Sequence, residues 1–216
     1  MKKIAYLHHI ENKSKEPLWH VQLAIVLIII LQLTLSTKLT VGPKYLIAGL
    51  EFILLGFLMV IAYSSTGLIL RRTLALTLIG LISFFNVTSL FLVSESLFKH
   101  TVINGQNLLI SALTIYITNI IVFGLWYWEM EFRRSSTPLD FLFPNENAPE
   151  HTGLHRTGWR PTFFDYLYIS ITNGTAFSPT DTLPLTHRAK LLMSIQSFIS
   201  LIIIVLVTAR AVSIIV

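Results

Sequence analysis

Long apolar runs separated by short polar patches dominate this chain. Trp19–Thr37, Tyr45–Tyr63, Thr73–Leu92, Leu108–Met130 and Ala189–Val216 each read as nearly continuous apolar stretches. A hydrocarbon core about 30 Å thick takes on the order of 20 helical residues. The pattern therefore predicts an all-α integral membrane protein with about five transmembrane helices. A polar segment, residues 1–18, precedes the first run and carries Lys2, Lys3, Glu11, Lys13, Lys15 and Glu16. The apolar part of that run, Val21–Leu35, is long for a signal-peptide core and no small-residue cleavage site follows it, so it is expected to remain as a mature helix. Gly42-Pro43 and Ser64-Ser65-Thr66-Gly67 are turn signals that close the first two helix pairs. Trp126-Tyr127-Trp128-Glu129 places amphipathic rings where headgroups begin. Residues 19–130 thus hold four helices and 188–216 the last.

Between them the pattern changes twice. Residues 131–161 are polar, with Pro138, Pro144, Pro149 and Pro161, and read as an irregular surface loop. Within it, Leu139–Pro144 is apolar enough to lie on the membrane face or to pack as an ordinary loop segment. Thr162–Thr172 then has the length of a half-bilayer helix, about 16 Å at 1.5 Å per residue. Asn173-Gly174-Thr175-Ala176-Phe177-Ser178-Pro179-Thr180-Asp181 carries too much turn chemistry to prolong it. Half a helix, a non-helical return and a full span describe a re-entrant loop over residues 162–187. Non-helical backbone at membrane depth survives only when buried in protein or lining a wet cavity.

Composition agrees: 53% of the 216 residues are hydrophobic and 12% charged, outside the range of soluble domains. The absence of cysteine removes disulfide frameworks, thiol nucleophiles and cysteine-ligated metals. The net charge of +5 does not indicate nucleic acid, because the basic residues sit at helix ends, where they meet lipid headgroups. No paired carboxylates, activated nucleophile or cofactor motif stands at useful spacing, so neither an enzyme nor a cofactor is expected. His8-His9 and the i, i+4 pair His151 and His155 lack an acidic motif, and Gly153 interrupts the second, so a solvated loop is the reading for both.

The re-entrant segment resembles the pore module of potassium channels over about fifty residues. Laid without gaps, Ser170 falls on the pore-helix serine, Thr175 on the threonine opening the filter and Asp181 on the aspartate closing it. Pro184 and Thr186 fall on the Pro-x-Thr before the inner helix, whose counterpart here runs through Arg188-Ala189-Lys190 to Val207-Thr208-Ala209-Arg210. The whole chain also resembles uncharacterised multi-pass bacterial proteins, which implies a bacterial inner membrane but no activity. The filter departs from the potassium pattern: Ala176, Phe177, Ser178, Pro179 and Thr180 stand where a glycine-containing carbonyl ladder would be. The resemblance implies a homotetramer passing a weakly selected monovalent cation, with Thr175, Ser178 and Thr180 hydroxyls and Asp181 as ligands. The alternatives are a structural plug and a non-conducting scaffold or partner subunit.

Ionisable side chains within membrane helices are costly and want partners. Connectivity puts Glu51, Glu95 and Arg210 towards one face, which predicts an ion pair of Arg210 with Glu51 or Glu95. Asn86, Thr114, Thr118, Asn119 and Gln196 are expected to hydrogen-bond between helices, with a translocation path through them as the alternative. Orientation is contested by two signals. Twelve Lys/Arg against four place the N-terminus and the re-entrant loop in the cytoplasm, whereas potassium channels admit their pore loop from outside.

Overall fold

A computed structural model describes residues 19–36, 39–40, 42–62, 68–98, 105–131, 139–144, 160–176 and 181–215. Among these lie six helices: α1 (Trp19–Thr34), α2 (Lys44–Ala62), α3 (Leu68–Phe98), α4 (Gly105–Glu131), α5 (Phe163–Ala176) and α6 (His187–Ile215). Two short strands, β1 (Phe141–Leu142) and β2 (Leu183–Pro184), pair antiparallel with Phe141 opposite Pro184 and Leu142 opposite Leu183. Helices predominate because a segment in hydrocarbon must satisfy its own backbone donors and acceptors.

Among the described residues three helices, not five, are long and apolar enough to cross a membrane: Leu70–Leu97, Gly105–Glu131 and His187–Arg210. The other two apolar stretches, Trp19–Thr34 and Tyr45–Val60, are shorter. Gly42 turns with φ at +80°, the left-handed region that glycine adopts without a Cβ clash, and the Pro43 carbonyl accepts from Leu46 and Ile47 to start α2. Leu35 and Leu39 beside that turn are buried with Leu90, Val93, Leu108, Ala112, Ile115 and Ile203. The end of α1 and its turn are therefore packed against α3, α4 and α6.

Helix α4 is the centre. It packs against α1, α3, α5 and α6, while α2 packs against α1 and α3. Its apolar window is 67% buried against 22% for α6. Helices α1 to α4 and α6 alternate in direction. Val21 of α1, Leu58 of α2, Arg71 of α3 and Trp128 of α4 meet around one cavity at one end, and α6 starts at that same end beside Asp140. At the other end the Arg210 guanidinium of α6 lies against Gly105 of α4.

Candidate functional site

Helix α5 is placed by its caps and by a buried polar seam. Asp165 reaches back to accept from Thr162 N at 2.6 Å and from Thr162 Oγ1 at 2.9 Å, a capping box written with aspartate. Phe163 meets the Trp128 ring edge-on, so α5 begins level with the end of α4. Ser170 Oγ donates to Ile120 O at 2.6 Å and Tyr116 OH donates to Gly174 O at 3.1 Å, so it finishes near the middle of α4. Its 14 residues span about 21 Å, roughly half of α4. By Leu183 and Leu185 the chain is back at its starting level, paired with β1 and donating from Leu185 N to Asp140 O at 2.8 Å. Entry and return thus lie at the same end of the bundle.

Gln196 of α6 is the hub of the seam. Fully buried, its Oε1 accepts from Tyr127 OH at 2.5 Å and from Asn173 Nδ2 at 2.9 Å. Its Nε2 donates to Ser170 O at 2.9 Å and to Ser170 Oγ at 2.7 Å. Asn173 Nδ2 also donates to Met193 O at 2.9 Å, and Ser197 Oγ donates to Asn173 Oδ1 at 3.2 Å. One turn deeper, Asn119 Nδ2 donates to Ser200 Oγ at 3.2 Å. Buried polar groups at this depth must be paired, and here three helices pair them. Close backbone approach makes this possible: a Cβ on Gly124 would lie 3.2 Å from Leu167 Cα, and one on Gly174 3.3 Å from Ser200 Oγ.

That seam corrects the sequence expectation for the end of α5. Asn173, Gly174, Thr175 and Ala176 are helical, not part of a non-helical return. Asn173 and Gly174 read locally as turn residues, but their amide and missing side chain are what dock α5 against α6, and docking outweighs propensity. Thr175 is exposed and donates to Ile171 O of its own helix at 2.7 Å. Phe177, Ser178, Pro179 and Thr180 lie outside the described residues, as do His8, His9, His151 and His155. Asp181 is exposed in a bend.

A second polar cluster fixes the return. Arg188 binds the fully buried Asp140 through two nitrogens, Nε to Oδ1 at 2.8 Å and Nη2 to Oδ2. Thr186 Oγ1 also donates to Asp140 Oδ1, and it accepts from Ala189 N at 3.3 Å as the N-cap of α6. Asp140 N donates to Glu131 Oε1 and Tyr166 OH to Glu131 Oε2, both at 3.2 Å. The loop segment 139–144 is consequently packed, with Phe141 and Phe143 buried against Tyr166. Phe141 and Phe143 point into the protein, Leu142 is half-buried and Leu139 is exposed. Sequence reasoning missed Asp140, Glu131, Tyr166 and Tyr127. A lone acid between Leu139 and Phe141, inside an apolar hexapeptide, was the available signal for Asp140.

The remaining expected residues are distributed. Asn86 Nδ2 donates to Ile115 O at 3.3 Å, while Thr114 and Thr118 are buried on α4. Glu51 is fully buried and its partner is Gln32 of α1: with the amide nitrogen turned to the carboxyl, it donates at 2.9 and 3.2 Å. Arg210 reaches the α3–α4 corner, and Glu95 stands one turn before the end of α3. An open groove of about 460 Å³ runs along α6, lined by Asn173, Pro184, Lys190, Ser197, Phe198 and Leu201 among others. Among the described residues no three His, Cys, Asp or Glu gather in a metal-binding group. No family model, curated protein or solved structure matches this chain.

Proposed function

We propose that this protein is a pore-loop membrane protein of ion-channel type, with five membrane-embedded helices and a re-entrant module formed by α5, the return and α6. The observation that carries this reading is α5 itself. It stops near mid-height of α4, and the chain comes back to the end from which it started. Beside helices long and apolar enough to cross a membrane, a half-length helix tied into a polar seam suits a pathway or binding site at membrane depth. One re-entrant loop cannot enclose a pore, so several copies surround an axis, four by analogy with potassium channels. Exposed Asp181, Leu183 and Leu185 on the return are then covered by a neighbouring copy. A weakly selected monovalent cation would meet Asp181 at the mouth. Arg210 and Glu95 form the ion pair at the far end. The basic-residue excess puts the N-terminus in the cytoplasm, and a bacterial inner membrane is the setting.

A second reading is favoured by a specific observation. Thr175, the position of the filter-opening threonine, is helical and spends its hydroxyl on its own backbone. That suits a non-conducting scaffold or partner subunit that retains the module's outline. Ion flux in proteoliposomes, measured for the wild type and Asp181→Asn, separates the two. Cation flux that falls severalfold in the variant supports the pore; a verified oligomer without flux supports the scaffold.

A further inference from the structure

Glu51 stands apart from the seam and from the re-entrant module. Its side chain is fully buried between α1 and α3, and Gln32, a neutral amide, is its partner among the described residues. Its depth follows from its neighbours. Gln32 shares a small polar cavity with Thr40, Asn86 and Ser89, and Asn86 bonds to Ile115 O. Ile115 lies ten residues from the start of α4 and sixteen from its end, about 15 and 24 Å. Glu51 is therefore well inside the bundle.

Among the described residues, the other charged groups of the packed elements lie towards the helix ends. Among the packed elements, α1 carries His20 at its opposite end, and α3 carries Arg71 and Arg72 at the opposite end and Glu95 nine residues beyond Asn86. On α2 itself, Lys44 precedes Glu51 by two turns. An ionised carboxylate at such a site, answered by one neutral donor, would bear most of its desolvation cost, several kcal/mol by order of magnitude. A metal cation would need several further oxygen ligands, and among the described residues no metal-binding group gathers here. A proton needs neither space nor further ligands. The small cavity that Gln32 lines, about 20 Å³ of water-centre space, has room for about one water.

We propose that Glu51 is an intramembrane proton-binding site: its carboxyl, buried in the bundle, holds a proton, with Gln32 as hydrogen-bond partner. The site is independent of whether the α5–α6 module conducts. The test is infrared difference spectroscopy of the full chain in lipid vesicles at neutral pH, wild type against Glu51→Gln, which is isosteric and keeps the amide contact. The expected result is the loss of the carbonyl band of one protonated carboxyl per chain, with the carboxylate bands unchanged. Loss of carboxylate bands instead overturns the proposal. Lys44→Met supplies the second arm. A protonated Glu51 leaves its spectrum as in the wild type, whereas conversion of a carboxylate band to a protonated-carboxyl band on that substitution would mean that Glu51 is ionised and held by Lys44.

Discussion

Replacing Gln196 with leucine tests whether the buried seam is a structural weld or a polar pathway. The side chain makes four hydrogen bonds, two through each terminal atom. Their loss is unequal. Asn173 Nδ2 keeps Met193 O, and Ser170 Oγ keeps Ile120 O, so neither is stranded. Tyr127 OH loses its acceptor and is left buried beside the Asn173 amide, a donor that does not take up its proton. One stranded hydroxyl costs about 1–3 kcal/mol. Three further bonds at about 0.6 kcal/mol each, the average for side-chain bonds between membrane helices, add roughly 2. Gln196→Leu should therefore destabilise by about 3–5 kcal/mol. Tyr127→Phe alone should cost about 1 kcal/mol, because Gln196 Oε1 retains Asn173. In the double variant the stranded hydroxyl is gone, so the two changes should cost less together than their sum, with a coupling of about 2–4 kcal/mol. The assay is reversible unfolding in mixed micelles of increasing denaturing-detergent fraction, followed by circular dichroism. A Gln196→Leu protein within about 0.5 kcal/mol of wild type would refute the weld. Loss of ion flux at unchanged stability would point to a pathway instead.

Further expectations can be checked alongside. Gly124→Ala sets a Cβ 3.2 Å from the Leu167 backbone and should cost about 1–3 kcal/mol, while Gly124→Leu should undock α5, seen as protease cleavage between residues 160 and 186. Asp140→Ala should destabilise more than Arg188→Ala in thermal unfolding followed by tryptophan fluorescence. Asp140 is fully buried and serves both Arg188 and Thr186, whereas Arg188 is 46% exposed and can return to water. Because the chain lacks cysteine, Thr162→Cys and Leu185→Cys can be probed singly with an impermeant maleimide in oriented vesicles. Both should label from the same side, and labelling from opposite sides would remove the re-entrant geometry.

Much of the architecture was legible in the chain, and the limits have identifiable causes. The long apolar runs marked α3, α4 and α6, since the length of an apolar helix is a local property. A half-length helix before the last span was also readable, from Thr162 to the first turn-forming residues. Its end was not. Asn173 and Gly174 look like a stop signal because their propensities are local, yet they are the pair that Gln196 and Ser200 receive twenty to thirty residues later. Interhelix bonding by Asn86, Asn119 and Gln196 was anticipated from polarity alone, but not the identity of Tyr127 as the hub's partner.

By itself, then, the sequence determined that this chain is helical and apolar enough for a membrane, and that a short helix interrupts its last third. Those properties depend on runs of neighbouring residues and on backbone groups that must bond internally in hydrocarbon. Tertiary structure alone decided that the end of α1 is packed against α3, α4 and α6, that Asp140 is held by Arg188 across 48 positions, and that Glu51 faces Gln32 deep in the bundle. Each depends on which distant segments share a level once the helices pack. That is set by the lengths of several elements together, and no single stretch of sequence encodes it.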